Sequence, residues 1–284
     1  MVPLLMFVLF GSLSQVACNH TLRSIQARSR DVYTSVVGNY VAAVTLAAAY
    51  LLLRGPQSEA WLNAVGMGVL TGFFYTAALL AIIRNMGQRG MAMTGALVGT
   101  SQIVPVLLAI VLGERPSHQQ VAGIIAAGAA LPLLSLATVS GSGIRERPSL
   151  SLAALLFLLQ GGAMSGNLVA TKVLPPASMP TYLVALFGSG LALSLCARAW
   201  AGKGPGAGDA RRGAFFGMLN MASTLIIISA LACVSGAIFF AAMGTLALAA
   251  TTLLGVWLWH ERLQVWGWAG LGLSAIAAPL LVLK

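Results

Sequence analysis

The chain has 284 residues, of which 58% are hydrophobic and only 8% charged, with a net charge of +10 and a mean hydropathy of +0.90. Soluble domains carry roughly 25% charged residues, so a water-soluble fold is excluded, and the few charges mark where the chain leaves a lipid bilayer. The sixteen Lys and Arg are scattered between apolar runs without forming a basic face, which argues against a nucleic-acid partner.

A helix rising about 1.5 Å per residue needs roughly 20 apolar residues to cross the hydrocarbon. In chain order, charge-free runs cover 1–22, 32–53, 60–83, 90–113, 116–144, 148–171, 173–197 and 263–283, each the length of one span. A further run, 213–260, has 48 residues, enough for two spans and a tight turn. The expectation is an all-α polytopic membrane protein with ten transmembrane helices. Residues 1–22 are read as the first span rather than a cleaved signal. No basic segment precedes them, and Gln15 stands where a lipoprotein box before Val16-Ala17-Cys18 would have Leu. Cys18, Cys196 and Cys233 lie in separate apolar runs without metal or redox spacing, and are read as small packing residues.

An internal repeat has a consistent register. Gly113-Glu114-Arg115 matches His260-Glu261-Arg262 at an offset of 147 residues, and Ala122-Gly123 falls on Ala269-Gly270 at that same offset. The shift also carries the polar break 84–89 onto 231–236, where the 48-residue run must turn, and loop 54–59 onto 201–206. Five helices per copy is an odd number, so the two repeats, 1–144 and 145–284, are inverted. Inverted repeats are common in secondary transporters, whose substrates bind near the midplane between the halves.

The chain resembles the drug/metabolite transporter superfamily, specifically its ten-helix EamA-type members, over essentially its whole length. The resemblance rests on a fourth helix with an internal proline, Pro105, that ends in Leu112-Gly113-Glu114-Arg115 and is followed by a helix opening near 119–123. It rests also on the second ending, Trp259-His260-Glu261-Arg262, and on small-polar stretches that run to a basic residue, from Gly11 to Arg23 and from Gly161 to Lys172. Two departures stand out: His260 replaces the usual Gly, and Thr252 occupies the position equivalent to Pro105. The resemblance implies a central cavity lined by the first, third and fourth helix of each half, moving small organic solutes by alternating access.

Polar side chains inside a bilayer mark helix interfaces or water-filled paths. In the first span Ser12, Gln15 and Asn19 share one helical face, and in the sixth Gln160, Met164 and Asn167 do the same, with Ser165 beside them. These equivalent helices are expected to face each other. Tyr75, Thr94, Gln102, Asn220, Ser223 and Thr245 complete the cavity-lining candidates. Each can also serve simply as a helix-to-helix hydrogen bond. The spacings Gly68/Gly72, Gly95/Gly99, Gly162/Gly166 and Gly213/Gly217 are read as close helix packing.

Of the six acidic residues none lies mid-span, which disfavours an organic cation or drug exporter built on a buried carboxylate. Glu114, Arg115, His260, Glu261 and Arg262 sit at the ends of the fourth and ninth spans, as helix-end ion pairs or gating groups. No nucleophile constellation, phosphate loop or metal-ligand spacing is present, so neither an enzyme nor a cofactor is expected. The expected function is a secondary carrier of a small polar metabolite in the cytoplasmic membrane. The alternative is a non-transporting membrane subunit or assembly factor. A small-molecule substrate and the lipid bilayer are the expected partners, and the oligomeric state is open, a monomer being compatible with the sequence. Twelve of the sixteen Lys and Arg fall on the side of the odd-numbered connections, which places both termini outside the cytoplasm. Ten-helix relatives generally have both termini inside, so the two arguments oppose each other.

Overall fold

The computed structural model describes residues 2–55, 60–136, 150–201, 207–260 and 264–282. They form α1 (Val2–Arg28), α2 (Val32–Arg54), α3 (Trp61–Ser101), α4 (Ile103–Val111), α5 (His118–Leu136), α6 (Leu150–Val173), α7 (Met179–Ala201), α8 (Ala207–Cys233), α9 (Gly236–Trp259) and α10 (Val265–Val282), with no strand among the described residues. Among the described residues eight helical segments are long and apolar enough to cross a membrane, so the chain is a multi-pass membrane protein. The apolar stretch of α10, Val265–Ala277, is shorter, and α10 packs along α5. Large side chains such as Leu53, Val111 and Trp257 are exposed, and Trp200 near the end of α7 is 96% exposed. Outward apolar surface and tryptophans near helix ends are what lipid and its interface select.

Two expected boundaries differ in form. The third and fourth spans are joined without a loop, because α3 runs through Arg84 and Arg89 to Gly90, whose φ of 81° breaks the helix. Only glycine takes that backbone conformation cheaply. The fourth span is interrupted again at Gln102, the helix resuming at Ile103. Pro105 explains this: it has no N–H for the carbonyl of Ser101, and its ring crowds the preceding turn. Thr252 imposes no such break, and α9 is continuous from Gly236 to Trp259. The 48-residue run turns between Cys233 and Gly236. The junction of the two halves, at residue 144, lies outside the described residues.

The packing of α2 on α8 and of α3 on α7 is intimate because glycines meet backbone there. A Cβ on Gly213 or Gly217 would collide with the carbonyl oxygens of Ser35 and Asn39, and one on Gly68 or Gly72 with those of Tyr182 and Leu186. Gly95 instead faces Thr251, and Gly162 and Gly166 face Phe74 and Thr71. Cys18 is buried, but Cys196 and Cys233 are exposed. Their reading as packed residues is corrected: both lie on outward helix surface, where a small, weakly polar thiol is tolerated.

Candidate functional site

Four helix segments, α1, the first arm of α3, α6 and α8, surround a cavity of about 50 Å³, room for a few water molecules. Successive turns of each helix supply the wall. Gln15, Cys18, Asn19 and Leu22 come from α1, Tyr75, Leu79 and Ile82 from α3, Gln160 and Met164 from α6, and Phe216, Asn220 and Ser223 from α8. Spacings of three and four residues hold each set on one helical face. Gln15 and Asn19 thereby stand across a single space from Gln160 and Met164.

The wall is half polar and half apolar, uncharged, and incompletely hydrogen-bonded. Gln15 Nε2 donates to Asn19 Oδ1 (3.3 Å), and Asn19 Nδ2 donates to Thr251 Oγ1 (3.2 Å). Asn220 Nδ2 donates to Asn39 Oδ1 (3.2 Å), and Ser14 Oγ donates to Ser223 Oγ (3.0 Å). The Tyr75 hydroxyl is 3.5 Å from Thr224 Oγ1, too far for a firm bond. Among the described residues the Gln160 amide has no partner. Such groups are rarely left unpaired in a protein interior.

Lining residues such as Leu22, Ile82 and Phe216 lie in the halves of their helices nearer the α1–α2 connection. Beyond Met164 the helices close through buried Val8, Leu168, Ile227, Phe239, Phe240 and Met243. The cavity is therefore displaced toward the end where Asp31 N–H donates to Asp209 Oδ2 and Arg212 to the carbonyl of Arg28.

The opposite end carries an ionic junction. α4 ends at Val111, the chain turns at Gly113, whose φ is 97°, and the next residue projects its carboxylate onto the N-terminus of α9. Glu114 accepts from Ser235 Oγ (2.6 Å), Gly236 N–H (3.0 Å) and Ala237 N–H (2.9 Å), and pairs with Lys172 Nζ at 2.9 Å. Burial alone would raise the pKa of this carboxyl. The bonds from Ala237, Ser235, Lys172 and Gly236 outweigh it and hold the group below the ordinary carboxylate range, as expected for a carboxylate at a helix N-terminus.

Six of the twelve candidate lining residues, Gln15, Asn19, Tyr75, Gln160, Asn220 and Ser223, share this cavity. Ser12 lies outside it, donating to the carbonyls of Val8 and Met243. Asn167 is fully buried, accepts from the Tyr182 hydroxyl at 2.8 Å and leaves Nδ2 without a partner among the described residues. The hydroxyl of Ser165 likewise has none. Thr94 donates to the carbonyl of Gly90. Gln102 and Thr245 line a separate, mainly apolar cavity of about 80 Å³ between α4, α5 and α9. Arg115 and His260 are exposed, and Glu261 and Arg262 lie outside the described residues. Sequence reading missed Cys18, Leu22, Leu79, Ile82 and Phe216, although Tyr75–Leu79–Ile82 and Phe216–Asn220–Ser223 each continue a polar position along one helical face.

No family model matches the chain, and no curated protein matches it. Solved structures share the fold: a crystal structure 15% identical in sequence superposes with a TM-score of 0.66 over 96% of this chain and 98% of its own. At that identity the likeness concerns the backbone arrangement alone.

Proposed function

We propose that this chain is a secondary carrier of the EamA-type ten-helix kind, moving a small polar metabolite by alternating access through the cavity between its two halves. The observation that carries the reading is the cavity itself. It lies within the spans, its polar groups come from both halves of the chain, and it is sealed at one end by an apolar layer. Polar groups in a bilayer are costly unless they pair with other helices or face a water-filled path; Gln15 is only partly paired, through Asn19, and Gln160 has no partner among the described residues, which favours the path.

Two further features support inverted repeats of five crossings each. Ser35 and Asn39 of α2 lie 147 residues before Tyr182 and Leu186 of α7, and both pairs offer their carbonyls to glycines on the partner helix. The facing glycine pairs, 68/72 and 213/217, are themselves related by a shift of 145. Likewise Gly113 and His260, 147 residues apart, both have positive φ at a helix C-terminus. Such correspondence is what a duplicated, inverted unit produces.

The test is uptake into lipid vesicles reconstituted with the pure protein, using amino acids, sugars, nucleobases and organic ions as probes. Movement of at least one solute, slowed several-fold by Gln15→Ala, is expected. If no solute moves, the chain is a non-transporting membrane subunit.

A further inference from the structure

The carrier reading leaves the solute open; the cavity wall narrows it. We infer that the site is built for an uncharged solute with an amide-type edge, a hydrogen-bond donor beside an acceptor, and discriminates against organic cations and anions. The inference rests on the carrier reading and deepens it.

No Asp, Glu, Lys, Arg or His is among the described residues lining the cavity. An ion brought there would shed its hydration without meeting a counter-charge, a penalty of several kcal/mol. Hydrogen-bonding capacity, by contrast, is in surplus. Among the described residues the Gln160 amide is unpartnered, and Gln15 Oε1 and Asn220 Oδ1 accept no bond, only the amide nitrogen of each being engaged. A free carboxamide presents both a donor and an acceptor whichever way it is turned, so Gln160 matches a solute edge that offers the same two functions in reverse order. The Tyr75 hydroxyl adds a group able to give or take a proton bond. Between these polar points stand the ring of Phe216 and the side chains of Leu79, Ile82 and Met164, which suit a flat, weakly polar body once the space, here the size of a few water molecules, widens to admit it. Such a wall penalises a solute that lacks the edge, because its own buried groups then stay unpaired.

Four probes of similar size distinguish the cases in reconstituted vesicles: uracil and nicotinamide as uncharged amides, tetraethylammonium as a cation and benzoate as an anion. Wild-type protein is expected to move at least one amide ten-fold or more faster than either ion. Gln160→Glu, which places a carboxylate in the wall, should slow the amide at least ten-fold and raise the tetraethylammonium rate. Gln160→Met should slow the amide without admitting the cation. If wild-type protein moves an ion as fast as the amides, the inference is overturned while the carrier reading stands. If none of the four moves, and neither does any solute of the wider panel, the carrier reading fails and takes the inference with it. The wild-type comparison does not depend on the folding of any variant.

Discussion

Asn39 receives the Nδ2–H of Asn220 at 3.2 Å, a buried bond from α8 to α2 that fixes which atom of Asn220 is left for the cavity. Asn39 is fully buried and outside the cavity wall, so its contribution acts through Asn220. Asn39→Leu is expected to cost about 1 kcal/mol of stability, as for other hydrogen bonds between membrane helices. In a transport assay it should raise KM more than it lowers kcat, because Asn220 turns freely. An unchanged KM would show that Asn220 does not need its partner.

The Glu114 junction has a definite pH dependence. Its pKa is held below the ordinary value of 4.5, so its stabilisation is complete above that value and is lost as pH falls through the depressed one. Glu114→Gln should destabilise the protein at pH 7 by roughly 1–3 kcal/mol and flatten the decline expected below pH 4.5. Thermal unfolding in detergent across pH 3–7 measures both; an equally steep acid decline in the variant would assign it to other groups.

Close backbone approach makes the α2–α8 contact intolerant of side chains. Gly213→Leu should cost about 3 kcal/mol or more, since the obstacle is the Ser35 carbonyl rather than a movable side chain. Gly66 lies in α3 with nothing near its missing Cβ, and Gly66→Ala should be neutral or stabilising by roughly 0.5–1 kcal/mol. Melting temperatures of the two purified variants, set beside wild type, check the contrast.

His260 holds φ 52° and ψ 34° at the end of α9, the one positive-φ position other than glycine among the described residues. His260→Gly should therefore stabilise the protein by about 1 kcal/mol. Gly113→Ala at the end of α4 should do the reverse by a similar amount, although no atom stands in its way. Chemical unfolding of the two variants gives the signs.

Span positions were readable from the sequence because charge is expensive in lipid, and the helix ends fall close to the charged residues. Pro105 reads only as an internal proline of the fourth helix, and the break it causes at Gln102 was not expected. What the periodicity of α1 and α6 could not reveal is depth. Ser12 and Asn167 belong to the polar faces of Gln15 and Gln160, yet each lies about one to two turns further along, where Met243 and Tyr182 take up their polar groups. A stripe defines a direction around a helix, whereas the level at which the bundle closes depends on residues distant in sequence, Phe239 and Phe240 above all. Phe216 and Leu79 were unreadable for the related reason that apolar wall and apolar core look alike in one dimension.

The glycine contacts also bear on how such a bundle can move. Helices whose backbones touch at Gly213 and Ser35, or at Gly72 and Leu186, cannot slide without driving an oxygen into a Cα, so α2 with α8 and α3 with α7 behave as two clamps. Each clamp joins a helix from the first half of the chain to one from the second. Any rearrangement that exposed the cavity at its other end would have to part the buried side-chain contacts of Phe239, Phe240 and Met243 on α9. In such a rearrangement the units that stay together would cut across the two halves of the sequence, not along the line between them.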